Sequence, residues 1–185
     1  YPGNNTATGE QSLFSLDTSQ GYYNVADGFA SLYYTTTGQA NTALGSFTLF
    51  LNTTGSFNTA VGDVALFNST IGGFNTAIGF RALVSLQTGQ HNIGVGLGAG
   101  ANLVRGDGNI YIGNQGVRGE NGSIRIGTAG EQTSIYLAGA LDPISNASSL
   151  GIDENGKLGV ITQQGVKQEE LERQIQQLQK QVESL

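Results

Sequence analysis

Short alternations of apolar and polar positions recur along this chain at a fixed interval. In "FNTAVG", Thr59 and Val61 fall on one face and Ala60 on the other. The same columns hold Thr76 and Ile78, Ile93 and Val95, and Ile110 and Ile112. Alternation with period two predicts a short strand in each copy. A glycine follows each strand, where a tight bend with positive φ is expected. A second apolar segment comes next, with Leu32, Leu49, Leu66 and Leu83 in one column, and it predicts a second strand.

The interval is 17 residues: Asn24, Asn41, Asn58, Asn75, Asn92 and Asn109 share it. So do the glycine columns that start at Gly21 and at Gly28. Asn5 opens a diverged first copy, 19 residues before Asn24. A fixed period near 20 signals a solenoid. Two strands and two bends per repeat predict an all-β, parallel β-solenoid (a flattened β-roll), with coils about 4.8 Å apart. In such a stack Asn lies above Asn, so the six asparagines form a structural ladder through their side-chain amides. An aromatic column precedes it, with Tyr23, Phe57, Phe74 and then His91, the single histidine, in a stacking position. The period then shortens: "SIRIG" follows "NIYIG" by 14 residues and "SIYLAG" follows 11 later. Tyr111, Arg125 and Tyr136 take over the alanine column, as expected where the roll changes width or ends.

"NIGVGLGAG" (92–100) also fits G-x-G-x-x-G/A, the phosphate-cradling pattern of dinucleotide folds. The repeat explains it better. Gly96 sits in an invariant glycine column, Gly94 replaces Ala77, and Gly100 replaces Leu83; only Gly98 is left over.

Composition narrows the function. Glycine is abundant at 29 residues and only 12% of residues are charged, which is too few for ordinary disorder. A net charge of −6 argues against nucleic-acid binding. No apolar run is long enough to span a membrane. The chain lacks cysteine, which suits an extracellular setting and leaves no thiolate metal site. It also lacks methionine, so a processed or truncated product is expected. No catalytic residue, cofactor or metal site is assigned, because Asp27 and Asp63 lie two coils apart in different columns. Asn4, Asn52, Asn68, Asn121 and Asn146 stand in glycosylation sequons, which matter only if the source glycosylates them.

A thin roll with few charges exposes apolar surface and open edges. A homo-oligomer that packs its alanine faces together is therefore expected. The C-terminus agrees. Leu171, Ile175, Leu178, Val182 and Leu185 are spaced 4, 3, 4 and 3 apart, which is a heptad seam. Such a seam, β-branched at a and Leu at d, favours two strands in isolation. Here it is short and has Gln168 at a, so the roll is expected to set the number. Between roll and helix, "LGIDENGKLGVI" predicts a hairpin around Glu154, Asn155 and Gly156. The division is thus a diverged first coil (1–20), the β-roll (21–140), a neck (141–164) and a parallel coiled coil (165–185).

"FNTAVG", "FNTAIG" and "HNIGVG" resemble the head repeats of trimeric autotransporter (YadA-like) adhesins, whose commonest repeat is shorter. "NIYIGNQGVRGENGSIRIGTAGEQTSIYLAGAL" and "IDENGKLGVI" resemble still more closely the shaft end of tail-fibre-type proteins. The matches cover roughly residues 5–162. The resemblance implies a parallel homotrimer of left-handed β-rolls. It also implies a structural fibre or adhesin, extracellular at a cell surface or on a virion. Tail-fibre relatives often continue into a self-cleaving chaperone; here Gln163 and Gln164 lead straight into the heptads, so no autoproteolysis is assigned. The expected partners are the chain itself (as a trimer, and in one variant as an end-to-end filament) and a host surface, matrix protein or glycan. A soluble carbohydrate-binding module is the alternative. Tyr22, Tyr33, Tyr34 and Phe80, in the bends, are the candidate surface contacts; inter-coil packing is the plainer explanation for each.

Overall fold

A computed structural model describes residues 2–17, 19–128, 130–132, 149–152, 158–161 and 163–183. It divides into two compact units, Tyr1–Ile135 and Tyr136–Leu185. The first is a β-solenoid. Its strands are β1 (Thr6–Thr8), β2 (Val25–Asp27), β3 (Thr42–Leu44), β4 (Thr59–Val61), β5 (Thr76–Ile78), β6 (Ile93–Val95), β7 (Ile110–Ile112) and β8 (Ile124–Ile126). They form one eight-stranded sheet in sequential order. Every neighbouring pair is parallel and in register, so Ala26, Ala43, Ala60 and Ala77 stack directly. The diverged first copy joins the stack, with Thr6 opposite Val25.

The centre of each strand points inward. Ala26, Ala43, Ala60 and Ala77 are fully buried against Leu32, Leu49, Leu66 and Leu83. This corrects the expectation that alanine faces pack between chains. Those faces line the interior of a single solenoid, and the flanking threonines and aliphatic residues face outward.

The second segment of each coil is not a strand. Two residues in it take positive φ: Ala30 (53°) and Leu32 (51°), Phe47 (54°) and Leu49 (51°), Val64 (53°) and Leu66 (51°), Arg81 (59°) and Leu83 (51°). The backbone bonds in two directions here. Ser31 donates back to Gly28 at 3.3 Å, while Leu32 donates to Thr48 of the next coil at 3.0 Å. The segment is a chain of turns fastened to its neighbours, so apolar spacing alone misread it as a strand. Left-handed φ costs a non-glycine residue roughly 1–2 kcal/mol. Complete burial of the leucine side chain, about 1.5–3 kcal/mol, offsets it.

That geometry accounts for the glycine-rich stretch. Gly96, Gly98 and Gly100 have φ of 116°, 61° and 68°. They continue the positive-φ columns of Gly79, Arg81 and Leu83. Gly98, the residue the repeat alone left over, occupies a left-handed position in every regular coil. Gly100 and Gly94 also leave space. A Cβ on Gly100 would approach the ring of the buried Tyr111 to 2.7 Å, and one on Gly94 would lie 3.0 Å from Leu83 Cγ.

In the second unit, β9 (Ser149–Ile152) and β10 (Leu158–Ile161) pair antiparallel, with Leu158 opposite Ile152, as the hairpin reading expects. Helix α1 spans Gln163–Glu183. Tyr136, Asn146, the hairpin turn at Glu154, Asn155 and Gly156, and Leu185 lie outside the described residues.

Candidate functional site

The asparagine ladder is the most ordered polar feature of the solenoid. Each Oδ1 accepts two bonds from the coil that follows. Asn58 Oδ1 takes the Asn75 backbone N–H at 3.1 Å and the Asn75 side-chain amide at 3.1 Å. Each side-chain amide also donates to a glycine carbonyl, as Asn58 does to Gly72 at 2.9 Å. The pattern runs from Asn24 through Asn41, Asn58, Asn75 and Asn92 to Asn109. All six are fully buried. Buried amides with satisfied donors and acceptors hold the coils in register. The glycine column is tied to the same contact: a Cβ on Gly72 would stand 2.7 Å from the Gly89 carbonyl oxygen. At the C-terminal end Ser123 takes over, donating its backbone N–H to Asn109 Oδ1 at 3.0 Å.

The aromatic column is shorter than expected. Phe57 and Phe74 stack at 4.9 Å and 7°, and Phe74 and His91 at 5.1 Å and 2°. Ala40 holds the intervening position in the column, so Tyr23 does not extend the stack; it leans on Tyr22 at 6.3 Å. His91 ends a run of ring contacts and has a structural place in it.

The bend aromatics form a second cluster, built on another column of the 17-residue register. Phe14, Tyr33, Phe50 and Phe67 stack in series, with centroids 5.0, 5.4 and 5.1 Å apart. Tyr34 packs edge-on to both Tyr33 and Phe50. The rings rise through successive coils: Tyr33, Phe50 and Phe67 share the 17-residue register, and Phe14 joins them from the diverged first copy, 19 residues earlier. Of the candidate contacts, Tyr33 is half-buried within this cluster, while Tyr34 and Phe80 are exposed. The Tyr22 hydroxyl donates to the Ser19 carbonyl.

The last described coil is closed by charge. Tyr111 replaces alanine and is fully buried; its hydroxyl donates to Glu120 Oε1 at 2.9 Å. Arg125, in the same column, grips Glu120 through Nε at 2.9 and 3.0 Å and through Nη2 at 2.9 Å. Burial raises the Tyr111 phenol well above its ordinary pKa, and the Glu120 carboxylate reinforces the shift. Burial would raise Glu120 too, but the bonds from Arg125, the Val117 N–H and Tyr111 outweigh it and hold the carboxyl below its ordinary range.

Other candidate groups have local partners. Asp63 Oδ1 accepts the Ser46 N–H at 3.0 Å. The Asn52 sequon is fully buried, and Asn68 donates to the Val84 carbonyl at 2.8 Å; Asn121 is exposed. Among the described residues no helix is long and apolar enough to cross a membrane, and no group of three or more His, Cys, Asp or Glu is placed to hold a metal.

In α1 the heptad residues Leu171, Ile175, Leu178 and Val182 are 60%, 47%, 60% and 71% exposed. No protein-family model matches the chain, and no significant match was found among curated proteins or solved structures.

Proposed function

We propose that this chain is a structural module of a homotrimeric extracellular fibre or adhesin. It presents a stiff repetitive rod for attachment at a cell surface or on a virion. The observation that carries this reading is the apolar seam of α1, whose Leu171, Ile175, Leu178 and Val182 lie open to water. A helix with such a seam is stabilised by laying it against copies of itself.

The solenoid supplies support of its own. Its outward strand rows become aliphatic toward the C-terminal end, where Ile124 and Ile126 are 68% and 63% exposed. These rows, rather than the alanines, are the surface we assign to contact between copies. The number three follows from the likeness of the repeats to trimeric adhesin heads. Seven coil spacings at about 4.8 Å give this unit a length of about 34 Å. Three copies would present each surface site three times, which raises avidity for a host surface, matrix protein or glycan.

The solution mass of the full chain, measured by light scattering, tests the reading. A mass of three chains supports it. A mass that grows with concentration favours the end-to-end filament. A single-chain mass removes the oligomer, and the fibre with it.

A further inference from the structure

We infer that the bends preceding strands β5 to β8 carry a binding groove for a neutral oligosaccharide. This deepens the adhesive reading and rests on it. An open groove of about 460 Å³ runs across four successive turns of the chain, lined by Ile71, Thr88, Gln90, Arg105, Asp107 and Asn121. That volume falls within the roughly 300–1,000 Å³ of small-molecule sites. Its floor is the glycine column Gly72, Gly89 and Gly106. Those glycines are required by close stacking: a Cβ on Gly89 would collide with the Gly106 carbonyl. The glycine backbone lines the groove without side chains of its own, and the wall residues decide what enters it.

The walls hold unspent hydrogen-bonding capacity of both kinds. Arg105 is exposed and makes no side-chain hydrogen bond or ion pair among the described residues. Asp107 uses Oδ1 to accept the Gln90 N–H at 2.7 Å, and Oδ2 remains for a ligand. Asn121 Oδ1 accepts the Asp107 N–H at 2.8 Å, which fixes the loop that carries the carboxylate. The Thr88 hydroxyl and Gln90 amide add a donor or acceptor each. A phosphate or sulfate site would need donors alone, and Asp107 repels an anion. A sugar needs carboxylate and carbonyl acceptors for its hydroxyls, and amide or guanidinium donors for its oxygens. Ile71 at one end offers an apolar surface to the C–H face of a pyranose ring.

Saturation-transfer NMR on the full chain tests this, with lactose, maltotetraose, cellotetraose and chitotetraose as neutral probes and a heparin oligosaccharide as the anionic one. Transfer to the ring protons of at least one neutral probe is expected. Arg105→Gln and Asp107→Asn should each weaken it about tenfold or more, the loss of a hydrogen bond to a charged group. Arg105 has no side-chain partner among the described residues, and Asp107→Asn keeps an Oδ1 to accept the Gln90 N–H, so both variants should melt close to the parent. No transfer to any neutral probe overturns the proposal. So does preferential binding of heparin, or neutral binding indifferent to both substitutions. The light-scattering mass separates the two readings: a trimer blind to every sugar refutes the groove alone, and a monomer that binds refutes the fibre alone.

Discussion

In the solenoid, Asn58 places its side-chain oxygen and nitrogen against neighbouring coils, and Ala60 and Leu66 are sealed inside. In α1, Leu178 and Ile175 have equally regular spacing, yet both are exposed. The two regions use repetition differently. A period of 17 lets one coil bury its groups against the next coil of the same chain. A heptad within one helix returns each apolar residue to the same side, where no neighbour in that helix can cover it. Repetition along the solenoid therefore builds an interior, while repetition along the helix leaves an exposed apolar seam.

The comparison breaks most severely at the ladder. Asn58→Ala removes the acceptor for the Asn75 backbone N–H and the donor to Gly72 in one step. Two buried groups left unpaired should cost roughly 3–5 kcal/mol, read as a lower urea midpoint of the β-sheet signal. A loss below about 1 kcal/mol would mean that the ladder does not hold the coils.

The seam should show the opposite behaviour. Leu178→Asp with Ile175→Asp should lower the mass in solution while the solenoid keeps its urea midpoint. If the solenoid unfolds with the seam, the two regions are not independent and the contrast fails.

The closing coil sharpens the contrast through pH. Glu120 has a lowered carboxyl pKa when folded. Its contribution is thus present above the unfolded value, about 4.3, and is lost as pH falls through the folded value. Amide exchange around Ser123 and Arg125 should rise in that acidic range, and Glu120→Gln should abolish the rise. Tyr111 runs the other way: its raised pKa stabilises the coil below about pH 10 and the contribution fades in stronger alkali.

The smallest expected effect is at Gly98. Its Cβ position is open, with Ala101 Cβ the nearest neighbour at 3.9 Å, and its φ is +61°. Gly98→Ala should cost about 1 kcal/mol from backbone strain alone. ATP or NAD added to either protein should leave the melting temperature unchanged. A nucleotide-dependent rise lost in the variant would restore the phosphate-loop reading.

Much of this was legible in the residues themselves. The 17-residue register of Asn and Gly marks stacked coils, because only identical positions brought into contact reward identical residues. Thr-Ala-Val alternation locates the strands to the residue. The aromatic column was misjudged at Tyr23, because a column in sequence becomes a stack only without a gap such as Ala40. The register already stacks Arg105 on Thr88 and Asp107 on Gln90, but the sequence did not show that the bends leave an open groove between these side chains.

The sequence by itself determined that the chain coils with a period of 17 over most of the roll, where its ladder runs, and that its C-terminal helix bears one apolar seam. These are periodic properties, and period is carried by spacing alone. Only the tertiary structure decided which face of each strand is inside, that the leucine segment is a run of left-handed turns, and that Gly98 sits at one of their left-handed positions. The reason is that burial and backbone handedness are set by how a coil closes on itself. The same apolar spacing fits an extended strand or a turn, until the hydrogen bonds to the coils above and below select one.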